Sequence, residues 1–145
     1  MSSHIDDSMI RLFLHSLSAV LITLWALTAG THARDNVSLE IVNDNRAAEI
    51  RCVVLLAHFF SLELGRIVPG GVLSVGLQRD AESSTLILTN AAGEAMAVEN
   101  LICGSAANWS ESRNEVALQA LRSGEVTVAR IACDGEDALR CTPLD

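Results

Sequence analysis

Four cysteines are the residues in this chain with the greatest capacity for chemistry: Cys52, Cys103, Cys133 and Cys141. The sequence contains no Cys-x-x-Cys spacing and few histidines near them, so the cysteine pattern does not predict a zinc site. An even number of cysteines behind an export signal favours disulfides. Four cysteines allow three pairings, of which loop closure favours Cys133–Cys141, leaving Cys52–Cys103.

Nucleophilic catalysis would require a base within reach of a nucleophile, and histidine is the usual base. His58 is the only histidine after residue 33. It shares the alternating phase of Cys52 and Phe60, which is an apolar phase. The sequence therefore predicts a packed histidine with a backbone partner rather than a catalytic base.

The remaining polar residues do not form a recognisable site. The acidic turns at 43–45 and 134–137 do not match the twelve-residue spacing of a calcium loop, and they are predicted to be solvated turns. The chain has no lysine for Schiff-base or P-loop chemistry. We therefore predict no catalytic residue, no metal ligand and no cofactor. A small hydrolase that uses two carboxylates is kept as a third interpretation.

Trp109 and Arg113 are the candidate contact residues for a partner. They are spaced one helical turn apart, and tryptophan and arginine are enriched at binding hot spots. The alternative interpretation is a core tryptophan that closes one end of the fold.

Length and charge exclude several classes of protein. The chain has 145 residues, of which half are apolar, and a formal net charge of −8. These values indicate one folded domain and do not favour binding to nucleic acid or to anionic lipid by charge. All ten basic residues are arginine, which is typical of a bacterial genome rich in G and C.

The N-terminal segment is predicted to direct export. Residues 17–29 are apolar and uncharged, and small residues follow up to Ala33. This pattern predicts a signal peptide over residues 1–33 with cleavage between Ala33 and Arg34. Translation from Met9 would remove two acidic residues from the front of the signal and leave Arg11 there. In the alternative interpretation, residues 10–30 are an apolar helix that stays in the membrane.

Residues 34–145 are predicted to form a single disulfide-stabilised domain of about seven short strands. Apolar and polar residues alternate over Val37–Ile41, and again over Ile50–Leu64, where the length of the run requires a break near Ala57. Turns are predicted at 68–71 and 90–93. Residues 109–121 fit both a helix and a helical turn followed by a strand. This layout predicts an all-β, immunoglobulin-like sandwich.

The function predicted from these features is that of a small exported, non-enzymatic protein, periplasmic or secreted, which binds another protein. No interaction with nucleic acid is expected. The alternative is a membrane-anchored subunit of an envelope complex, which contacts the membrane only through residues 10–30 and holds its β domain outside the cytoplasm.

Overall fold

The computed structural model describes residues 33–135 and 138–144. The predicted signal peptide up to His32, the alternative start at Met9 and the alternative membrane helix at 10–30 lie outside the described residues. The first strand begins at Arg34, the residue that follows the predicted cleavage site.

The described residues are mostly β-strand. The strands are β1 (Arg34–Asn43), β2 (Ile50–Leu56), β3 (Phe60–Ile67), β4 (Val72–Asp80), β5 (Leu86–Thr89), β6 (Ala95–Ser105), β7 (Asn114–Glu115), β8 (Val128–Asp134) and β9 (Arg140–Leu144). The helices are a 3₁₀ turn (Ala57–Phe59), α1 (Trp109–Ser112) and α2 (Gln119–Ser123). Within the described ranges, no helix has the length and apolar character needed to cross a membrane.

All nine strands belong to one sheet. Their order is β3-β2-β6-β5-β4-β1-β8-β9, and β7 pairs with β6. The β1–β8 pair is parallel, and the other pairs in this part of the chain are antiparallel. Strand β6 pairs with β5 through residues 95–97 and with β2 through residues 98–105. The predicted β-rich class is therefore confirmed, whereas the immunoglobulin-like sandwich stays a prediction.

A single apolar core contains side chains from strands near both ends of the sheet. Leu39 and Ile41 of β1, Val54 of β2 and Leu101 of β6 are each at most 1% exposed and belong to the same cluster. The alternation that predicted these strands arises because one face of each strand points into the core. Burial of a side chain of this size contributes about 1.5–3 kcal/mol, so the inward face largely determines the register.

Two disulfides join neighbouring strands. Cys52–Cys103 links β2 to β6, and Cys133–Cys141 links β8 to β9. In each bond the two residues are directly opposite in the antiparallel register. The pairs are those that loop closure favours. Since disulfides persist in oxidising compartments, the two bonds indicate an extracytoplasmic location.

The turn between β1 and β2 is held by two buried asparagines. Asn43 and Asn45 are 0% and 2% exposed. The side-chain amide of Asn43 donates to the carbonyls of Ala48 and Ile67, at 2.9 and 2.8 Å. The Asn43 Oδ1 accepts from the Asn45 backbone N–H at 3.0 Å. The prediction of a solvated turn at 43–45 was therefore wrong for both asparagines, although Asp44 between them is exposed.

The other predicted turns are present. Gly70 has a φ of 73°, and the Gly71 N–H donates to the Val68 carbonyl at 2.8 Å, which closes the turn between β3 and β4. Asn90 and Gly93 form the loop between β5 and β6, where the Gly93 N–H donates to the Asn90 carbonyl at 2.9 Å. Pro69 pre-sets its own φ in the first turn, and Gly70 and Gly93 adopt the positive φ that the turns require without a Cβ clash.

The segment that fits both helix and strand contains both. A helical turn, α1, is followed by the two-residue β7 and then by α2. Val116 and Leu118 are buried between β7 and α2 in irregular backbone, so their alternation reflects burial and not a strand. Gly124 ends α2 with a φ of 80°. Residues 124–127 connect α2 to the next strand, β8.

Candidate interaction surface

Three of the large apolar side chains that remain exposed in the described residues lie together on the β2–β3 hairpin. Phe59 is 102% exposed, Phe60 is 61% exposed and Leu62 is 42% exposed. We call these three residues the hairpin patch. The only other phenylalanine of the chain, Phe13, lies outside the described residues. The largest apolar side chains of the hairpin are thus turned to solvent.

The tip of this hairpin has an uncommon backbone. His58 and Phe59 both have left-handed backbone angles, with φ of 64° and 63°. Residues with a Cβ rarely adopt these angles, at a cost of about 1–2 kcal/mol each. The predicted break near Ala57 is confirmed as the point where the chain reverses. The prediction that His58 packs in the core was wrong, because the turn places His58 in solvent.

Phe59→Gly will raise the free energy of unfolding by about 1 kcal/mol, because glycine adopts left-handed angles without a Cβ clash. The fully exposed phenylalanine loses no packing in this exchange. Urea denaturation of the purified protein will measure the change. Phe59→Ala is the matched control, since it removes the ring but keeps the Cβ, and it should leave the stability nearly unchanged. Equal effects of the two variants would contradict the strain.

Phe60 and Leu62 are exposed although they point to the core side of the sheet. They are paired with Leu56 and Val54, and residues opposite each other in an antiparallel pair share a face. Leu56 and Val54 are 2% and 1% exposed, so the inner face is covered at β2 and uncovered one strand further out. Strand β3 thus extends beyond the rim of the core.

Strand β3 is also one of the two edge strands of the sheet. Among the described strands it pairs only with β2. An edge strand presents backbone N–H and C=O groups that can pair with another strand. The hairpin patch therefore combines exposed apolar side chains with an open hydrogen-bonding edge.

The predicted contact residues Trp109 and Arg113 lie on the opposite, outer face of the sheet. Trp109 is half-buried, and the Arg51 guanidinium carbon is 5.0 Å from its ring centroid. A Cβ on Gly104 would lie 3.0 Å from Trp109 Cε3 and from Arg113 Cα, so a larger residue at this position would require these neighbours to shift by a few tenths of an ångström. The structure thus brings the two residues together at Gly104. One face of the tryptophan ring is already covered by Arg51.

Arg51 is held by a second interaction. Its Nε lies 2.7 Å from a Glu63 carboxylate oxygen. The oxygen is off the N–H direction, so this contact is an ion pair and not an aligned hydrogen bond. Glu63 in turn is 3.5 Å from Arg66. The charges beside the hairpin patch are therefore largely paired within the chain.

A second apolar surface lies beside β8 and β9. It is a groove of about 490 Å³ lined by residues that include Val126, Val128, Ile131, Pro143 and Leu144. Arg130 also lines it and is paired with Glu40 at 2.9 Å. Val128 and Leu144 are 51% and 44% exposed, less than the two phenylalanines of the hairpin patch.

No family model, curated protein or solved structure matches this chain. In the part of the chain that the structure describes, no cluster of three metal-ligating side chains is present. The four cysteines are all in disulfides. The hairpin patch, which contains the two most exposed large apolar side chains of the described residues, is therefore the candidate interaction surface.

The sequence did not predict the hairpin patch. Phe60 and Leu62 follow the same alternating phase as Cys52 and Val54, which are core residues, so the pattern placed all four in the core. The available signal was the length of the apolar run, which required a break. Two adjacent phenylalanines follow that break, and hairpin tips usually contain small or polar residues instead, so this pair was a second signal for an exposed apolar surface.

Proposed function

We propose that this chain is an exported, non-catalytic protein that binds a protein partner through the hairpin patch. The two disulfides support an extracytoplasmic location, and the predicted signal peptide with cleavage at Ala33–Arg34 supports the periplasm or secretion. The proposal includes an immunoglobulin-like sandwich for residues 34–145, supported by the core that strands from both ends of the sheet share.

The observation that carries the proposal is the exposure of Phe59 at a strained position. Strained backbone persists where the surrounding structure enforces it, and it is concentrated at functional sites. Aromatic side chains dominate the energetics of protein interfaces because each buries a large area with few rotatable bonds. A fully exposed aromatic ring held at an energetic cost supports a role in contact with a partner.

Phe59→Asp tests the proposal. Aspartate adopts left-handed backbone angles more readily than phenylalanine, so the variant should fold. Val68→Asp is the matched control, since Val68 is 60% exposed and directly follows the other end of β3. Affinity-tagged protein is cross-linked in the envelope of cells that also express an untagged copy, and the captured proteins are quantified. We expect wild type and Val68→Asp to capture the same partner, and Phe59→Asp to capture about tenfold less, a loss of about 1.4 kcal/mol.

Two results would contradict the proposal. One is the absence of any captured protein, including a second copy, with wild type. The other is equal capture by wild type and by Phe59→Asp. Melting temperatures of the three proteins provide the control for folding.

A further inference from the structure

We propose that the partner seated on the hairpin patch is a second copy of this chain, with its β3 strand added antiparallel to β3 about a two-fold axis at Ser61. This inference rests on the proposed function, since it names the occupant of the same surface. It joins two nine-stranded sheets through their open edges.

The first half of β3 lacks the features that normally prevent such pairing. Edge strands are protected by charged residues, proline or bulges. The second half of β3 has two of these three features: Glu63 and Arg66 are charged, and the register with β2 shifts beside Gly65. Residues 60–62 contain no charge, no proline and no register shift. The unprotected part of the edge is therefore short, and Ser61 is its centre.

The side chains in this segment complement a copy of themselves. Antiparallel pairing about Ser61 places Phe60 opposite Leu62 of the second copy, and Leu62 opposite its Phe60. Opposite residues share a face, so all four apolar side chains lie on the inner face, continuing the buried row of Val54 and Leu56. A two-fold axis at Glu63 would instead place two carboxylates opposite each other, which is destabilising.

Charge at the edge is compatible with a second copy. Glu63 is paired with Arg51 at 2.7 Å and with Arg66 at 3.5 Å, and Arg66 is also 3.4 Å from Glu49. Pairing about Ser61 therefore buries no unpaired charge from this group. Residues 34–145 contain sixteen acidic residues against nine arginines, and this net negative charge opposes association at long range, so the dimer should tighten as salt screens that repulsion.

The exposed apolar area also fits a weak dimer. A phenylalanine side chain buries about 150–250 Å² at an interface, so the patch offers about 300–400 Å² per copy. A stable interface of standard size buries about 800 Å² on each partner. The patch supplies about half of that area and strand pairing adds to it, so the proposed dimer interface is smaller than the standard size and the dimer should dissociate on dilution.

Ser61→Cys tests the register directly. Two residues that face each other in an antiparallel pair are close enough for a disulfide, so the two introduced cysteines will lose their thiol hydrogens to diamide and join. Ser74→Cys is the matched control, since Ser74 is also exposed and lies on β4. Protein from expression of the full chain should give a covalent dimer with Ser61→Cys and not with Ser74→Cys. Equal yields of dimer from the two variants would overturn the register.

Sedimentation from micromolar to millimolar concentration tests the association itself. Wild type should show a monomer–dimer equilibrium that strengthens with salt, and Phe60→Asp should weaken it about tenfold, a change of about 1.4 kcal/mol. Wild type that stays monomeric throughout overturns the inference. Sedimentation of such a monomer with phosphatidylcholine vesicles would assign the patch to a lipid surface instead. Monomeric protein whose capture of another envelope protein still depends on Phe59 would leave the proposed function intact while this inference fails.

Discussion

Replacing both cysteines of the Cys52–Cys103 bond with alanine will lower the free energy of unfolding by about 4 kcal/mol. The bond closes a loop with a sequence separation of 51, so its removal frees a large part of the unfolded chain. The same exchange at Cys133–Cys141, with a separation of 8, will lower it by about 2.5 kcal/mol. For a domain of this size, 4 kcal/mol is a large fraction of the total stability.

Urea denaturation of the two double variants beside wild type measures both effects. The difference between the variants is the informative quantity, because both lose two sulfurs and gain two alanines. Cys141 is half-buried, whereas the other three cysteines are fully buried, so packing losses act in the same direction as loop entropy. A smaller loss for Cys52–Cys103 than for Cys133–Cys141 would contradict this account, as would a melting temperature that reductant does not change.

The strands that could be predicted from sequence are those with one face in the core. Val37, Leu39 and Ile41 alternate with polar residues because β1 is covered on one side only. Turns with proline or glycine were also predictable, because the positive φ angles of Gly70 and Gly93 are local requirements.

Exposure at the hairpin patch depends on distant structure. Phe60 belongs to the apolar phase of its strand, and only the position of β3 beyond the rim of the core leaves it in solvent. Strand order determines that position, and alternation carries no information on strand order. The prediction that His58 packs in the core was wrong for a related reason. The chain reverses at the break near Ala57, so His58 lies in the turn and not in a strand that faces the core.

The burial of Asn43 and Asn45 was hidden by their composition. A run of asparagine and aspartate is typical of an exposed turn. Here the partners are far away in sequence: the Ile67 carbonyl is 24 residues from Asn43, and the Gly135 carbonyl is 90 residues from Asn45. Their pairing depends on the whole sheet, so a local pattern cannot distinguish a buried asparagine from a solvated one.

Asn43→Ala will lower the free energy of unfolding by about 3 kcal/mol. The exchange leaves the carbonyls of Ala48 and Ile67 and the N–H of Asn45 without their partner. A buried backbone group that loses its hydrogen bond costs about 1–3 kcal/mol, and water that enters the space left by the amide reduces the sum. The loss should therefore exceed that of most single substitutions.

Asp44→Ala is the matched control, since its side chain lies in the same turn but is exposed. It should change the stability by less than about 0.5 kcal/mol. Hydrogen exchange adds a local measurement: in Asn43→Ala, the Asn45 amide should lose protection well before the amides at the centre of β1. Equal stability of the two variants would mean that the turn is held by its backbone alone. A loss confined to Asn43→Ala would instead show that the Asn43 side chain fastens the end of β1 to the end of β3, which is the strand that carries the hairpin patch.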